Sequence, residues 1–125
     1  MSRIEILRGG GGGVSGHPSA LEIENPSASE RIVWFRNYLE STVEEITAVL
    51  NGSAAPSVTF SVRFDADRSA VGTEILTGGR VLTNTTTGIV YAPDVLTIPA
   101  DVWVWLQTTA QSGTVLEMTV GIDLV

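Results

Sequence analysis

The sequence predicts an all-β chain: one antiparallel β-sandwich of jelly-roll type, about eight strands, with an extended glycine-rich arm at its N-terminus. Three observations carry this. Leu116, Met118, Val120, Ile122 and Leu124 alternate with Glu117, Thr119, Gly121 and Asp123, a period of two that an extended chain with one buried face produces. Val58, Phe60, Val62 and Phe64 alternate in the same way with Ser57, Thr59, Ser61 and Arg63. Turn residues punctuate the chain roughly every ten positions, as they do in sandwiches and barrels.

Taken in order, residues 3–7 form a short strand with Ile4 and Ile6 on one side. The run Gly9 to Gly13 follows, and glycine gives backbone there its greatest conformational freedom. Residues 1–18 are therefore read as an arm and residues 19–125 as the sandwich domain. Two readings of the arm compete: a plain linker, or a segment that becomes ordered on a neighbouring subunit. Leu21 and Ile23 mark the next strand, and Asn25-Pro26-Ser27 a turn. Arg31-Ile32-Val33-Trp34-Phe35 is apolar on both sides, as a strand covered on both faces is.

Residues 39–50 fit two patterns. Leu39, Val43, Ile46 and Leu50 recur at helical spacing, with Ser41 and Glu44 placed as a capping box. Thr42, Val43, Ile46, Thr47 and Val49 are β-branched and favour a strand. The strand is preferred because everything after it is β. It is expected to turn at Asn51-Gly52 and return through residues 57–65. Residues 73–77 and 80–83 flank Gly78-Gly79 as a hairpin. Short strands follow at 88–91 and 95–98, ended by Pro93 and Pro99, then a strand at 102–108. Ser112-Gly113 is expected to turn into the last strand.

Composition narrows function more by exclusion than by assignment. Charged residues are 17% of the 125, below the usual level of about 25%. A low charge density suggests that part of the surface is covered by something else. The net charge is −7, with no Lys and no Cys. The arginines are scattered, so the clustered positive footprint of a nucleic-acid or anionic-membrane binder is missing. Disulfides and thiolate metal sites are excluded. No run approaches the roughly 18 apolar residues of a membrane-spanning helix, and Met1-Ser2-Arg3-Ile4-Glu5 lacks the apolar core of a signal peptide.

Catalytic groups are scarce. His17 is the single histidine, in a probable loop, and cannot supply a zinc site or a triad without partners that no motif provides. Asp65-Ala66-Asp67 has alternate carboxylates that suit Ca²⁺ but lacks further oxygen ligands, so a turn is the plainer reading. Glu44-Glu45 invites comparison with a glycosidase pair, yet neighbours on a strand point to opposite faces. The glycine run lacks the Lys of a phosphate loop. Asn84-Thr85-Thr86 matches a glycosylation acceptor and equally a turn. The expectation is a protein with no enzymatic activity, cofactor or metal.

The segment Val102-Trp103-Val104-Trp105-Leu106 is the most informative. As a strand it places the aliphatic residues on one face and both tryptophans on the other. Three readings compete for the tryptophans: core, with the valines outside; a subunit interface; or, with Tyr91, a sugar-stacking platform.

The order Gly72-Thr73-Glu74, Asn84-Thr85-Thr86-Thr87-Gly88, Thr97-Ile98-Pro99-Ala100, Val102–Leu106 and Ser112-Gly113-Thr114 resembles small β-sandwich structural proteins of tailed bacteriophages. These include capsid decoration (cement) proteins and tail or fibre domains. The resemblance covers the last two-thirds of the chain and is one of texture. It implies a virion part made in the bacterial cytoplasm, needing no cofactor. It further implies a homo-oligomer, trimer favoured over dimer, that binds the major capsid protein or another virion protein. The expected contact residues are Ile4, Ile6, Gly9, Gly11, Gly13, Val14, Trp103 and Trp105. A tail fibre or baseplate domain and a carbohydrate-binding module are the alternatives.

Overall fold

A computed structural model describes residues 3–8 and 19–125. Among them there are nine strands and no helix. Two strands organise the rest: β4 (Ser41–Asp65) and β9 (Val102–Leu124). They pair antiparallel along nearly their whole length, from Val43 opposite Leu124 to Asp65 opposite Trp103. This ribbon folds over at a corner where Gly52 and Ser53 face Val115 and Thr114, and Ser57 faces Ser112. The register shifts there, and Ala54, Ala55 and Gly113 take positive φ angles of 58°, 54° and 69°. Such bulges raise local twist and bend a ribbon without ending its pairing.

Shorter strands widen each half. On one half, β2 (Ser19–Glu24) pairs with the end of β9, and β1 (Arg3–Arg8) adds outside β2. On its other side β7 (Thr85–Tyr91) pairs with the first half of β4, and β8 (Thr97–Ile98) with Ser41 and Thr42. The second half holds β3 (Arg31–Asn37) against the start of β9. There β6 (Arg80–Thr83) and β5 (Thr73–Glu74) pair with the latter part of β4. Trp34 Nε1 donates to Ser19 Oγ at 2.9 Å, tying β3 to β2, and the Phe60 and Tyr91 rings meet edge to face at 5.8 Å. The halves thus close face to face as a sandwich.

One apolar core lies between them. The alternating sets named above fill it: Val58, Phe60, Val62, Phe64, Met118, Val120, Ile122 and Leu124 are buried, together with Leu21, Ile23 and Trp34. Removing each such side chain from water contributes about 1.5–3 kcal/mol. The buried polar groups are bonded. Asn37 Nδ2 donates to the carbonyls of Ile98 and Pro99, and Thr108 Oγ1 donates to Ser27 O and accepts from Glu30 N.

Several local expectations change. Residues 41–50 are strand, but Asn51-Gly52 and Ser112-Gly113 are not hairpin turns; each lies inside a continuous strand. A hairpin would pair β4 with itself, whereas β9 supplies backbone partners on both sides of the corner. Gly78-Gly79 is likewise not a hairpin tip, because β5 and β6 both pair with β4 and not with each other. Residues 3–8, assigned from sequence to an arm, are a sheet strand in register with β2.

Candidate functional site

The tryptophan segment opens β9. Val102, Val104 and Leu106 point into the core, as the alternation requires. On the opposite face Trp105 is fully buried and Trp103 half-buried. Trp105 is roofed by its own chain. The Arg31 guanidinium lies 4.5 Å from its ring centroid and is held by the carbonyls of Arg68 and Ala70, the latter at 2.7 Å. Gly72 sits so close that a Cβ there would come within 2.6 Å of the indole. The indole Nε1 donates to Gln107 Oε1 at 3.3 Å.

This corrects two expectations. Trp105 contributes no surface to an interface, and no twin-tryptophan platform for a sugar exists. The valines are not outside either. The cause is the loop at 66–72, which folds over the outer sheet face and gives both faces of this strand a cover. Asp65 and Asp67 shape that loop. Asp65 Oδ1 accepts from Asp67 N, and Asp67 Oδ1 accepts from the backbone and hydroxyl of Ser69 at 2.9 and 2.7 Å. These bonds hold the Asp67 carboxyl below the usual carboxylate range. The pair therefore serves as turn chemistry. Among the described residues no group of three or more His, Cys, Asp or Glu could hold a metal ion.

Trp103 remains partly open. Arg36 stacks over it at 4.9 Å and reaches the Tyr38 ring at 5.7 Å. Tyr38 and Leu39, in the link between β3 and β4, are 69% and 74% exposed. Leu96 and Val125 are exposed at the same end of the sandwich. Backbone bonds gather these segments: Thr42 pairs with Val125 through both its N–H and its carbonyl, Val43 N donates to Leu96 O, and Ser41 Oγ donates to Leu39 O. One end of the molecule thus presents an aromatic pair bridged by an arginine, with aliphatic side chains beside it. Tyr38, Leu39 and Leu96 were missed from sequence; their only signal was large apolar residues at loop positions.

The other expected contacts divide. Ile4 and Ile6 lie on β1 opposite Ile23 and Leu21, yet are 44% and 37% exposed where their partners are buried. Gly9, Gly11, Gly13, Val14 and His17 lie outside the described residues. Glu44 and Glu45 are both exposed on β4. Tyr91 packs against Phe60 with its Oη buried and unpartnered, which pushes its pKa up.

The outer face of the β1–β2–β9–β4 half carries carboxylates in facing positions: Glu5 opposite Glu22, Glu24 opposite Glu117, and Glu45 opposite Asp123. Glu22 is raised above the usual carboxylate range, first by desolvation and then by Glu117, Glu5 and Glu24.

The fold and this surface define a single-domain all-β sandwich protein with an exposed apolar end and an acidic face. No family model matches the chain, and no curated protein does. Among solved structures it is similar to part of a chain in "Structure of infectious bursal disease virus Gx strain", with a TM-score of 0.43 and 10% identity. The match covers 100% of this chain and 33% of that one, so this chain spans about a third of that chain's length. Likeness at that level carries no functional argument.

Proposed function

We propose that this chain is a structural protein of a virion, a capsid decoration or cement protein of a tailed bacteriophage that stabilises the head shell by binding between capsid subunits. In this reading it is not an enzyme, uses no cofactor, and acts as a homo-oligomer, a trimer before a dimer, on the major capsid protein. The observation that carries the reading is the exposed end of the sandwich built from Tyr38, Leu39, Trp103 and Leu96. A rigid sheet core holds these side chains in place, so little conformational entropy is lost on contact, and aromatic residues flanking an arginine are favoured anchors of protein interfaces. The low charge content and the sequence texture of residues 73–125 support the same reading.

Mass spectrometry of purified virions tests it. A decoration protein is present in hundreds of copies per particle. A few copies would instead place the domain in the tail fibre or baseplate, and absence from the particle would end the virion reading.

A further inference from the structure

We propose that β1 is an exchangeable strand: in the assembled protein, residues 3–8 of one copy pair with β2 of a second copy, in the register seen within one chain. Three features lead there. First, β1 makes its only strand pairing with β2, so nothing else in its own sandwich grips it. Second, the opposite half-sheet ends at β3, which lies over β2, as the Trp34–Ser19 bond shows. Ile4 and Ile6 therefore overhang the core edge and stay 44% and 37% exposed, although their partners Ile23 and Leu21 are fully buried. The strand is held mainly by backbone hydrogen bonds, which any β2 edge of the same sequence offers equally.

Third, the connection is far longer than the pairing needs. Adjacent strands lie about 4.8 Å apart and hairpins close with about two to five residues. Here ten residues, 9–18, six of them glycine, join β1 to β2. Ten residues can span up to roughly 33 Å, enough to reach a neighbouring copy without opening the sandwich. Exchange of an identical element preserves every contact made within one chain. In addition it brings a second body beside Ile4 and Ile6, where it can cover them. The occupant of β2's edge is thus a second copy of this chain, linked head to tail in a closed ring or reciprocally as a dimer.

This deepens the assembly role proposed above, but its test needs only the purified full-length chain. Because the chain has no cysteine, the double variant Glu5→Cys/Glu22→Cys can form one designed disulfide; these residues are directly opposite, within the Cα spacing a disulfide accepts. After mild oxidation, non-reducing electrophoresis should show covalent species of two or three chain masses, collapsing to one on reduction. Light scattering of the unmodified protein should give the same multiple. A disulfide confined to single-chain mass would overturn the exchange, as would failure to form it. Equal cross-linking by either single-cysteine variant would overturn it too. None of these results bears on whether the protein occurs in virions, which the particle analysis decides separately.

Discussion

Replacing Gly113 with alanine probes the corner that makes the ribbon a sandwich. Gly113 has φ +69°, and an added Cβ would lie 2.5 Å from Ala54 O and 2.8 Å from Ala55 O. Both are backbone atoms of the facing bulge, so relief requires moving the corner itself. The left-handed conformation costs a non-glycine residue about 1–2 kcal/mol, and forcing atoms into a packed site adds about 1–3 kcal/mol. A total of about 3 kcal/mol follows. For 125 residues, an unfolding entropy of about 2.1 cal/mol/K per residue makes each kcal/mol worth roughly 4 °C, so the Tm should fall by about 11 °C. Two controls separate the terms. Gly78 has φ +79° with nothing within 4 Å of a Cβ, so Gly78→Ala should show the conformational term alone, about 4–8 °C. Gly121 has no positive φ and contacts only at 3.8 Å, so Gly121→Ala should leave the Tm nearly unchanged. Calorimetry on the three variants decides the matter. Equal losses for Gly113→Ala and Gly78→Ala would refute the close approach of the two backbones.

The remaining predictions concern single side chains. Tyr91→Phe removes a buried, unpartnered hydroxyl and should stabilise the protein by about 1 kcal/mol in urea titrations; a clear loss would mean that the hydroxyl has a partner. Trp105→Ala should cost about 3–5 kcal/mol, as for a fully enclosed aromatic, whereas Trp103→Ala should cost visibly less and chiefly weaken binding to capsid shells. Arg31→Ala should uncover Trp105 and shift its fluorescence to longer wavelength, and an unchanged spectrum would count against the roof. Asp94 accepts from Thr77 N and Arg80, which hold its carboxyl below the ordinary range. Its contribution is present above about pH 4 and lost as pH falls through the lowered value, so Asp94→Asn should destabilise at neutral pH and have a shrinking effect in acid. Glu22 has the opposite sign: its raised pKa means the ionised form opposes folding, and the stability it adds in acid is lost as pH rises through that value. Glu22→Gln should raise the Tm at neutral pH, less so in high salt, and leave it unchanged near about pH 3.

Much of this molecule is legible in side-chain order. The alternations at 57–64 and 116–124 identify strands and name the buried face, because an extended backbone sends successive side chains to opposite sides whatever lies beyond. The assignment of Val102, Val104 and Leu106 to the core has the same origin, as does the choice of strand over helix at 41–50. Pairing partners are another matter. Asn51-Gly52 and Ser112-Gly113 carry ordinary turn chemistry, and only the presence of β9 alongside β4 makes them bends in two long strands. Sequence also located the tryptophans on the outer face without showing that Arg31 and the loop at 66–72 close over Trp105 while leaving Trp103 open. Nor could it gather Tyr38, Leu39 and Leu96 at one end, since they meet through backbone bonds between segments far apart in the chain. Local periodicity is a property of the extended backbone and is written in neighbouring residues; long-range pairing and surface cover depend on which distant segments arrive, and that was decided only in three dimensions.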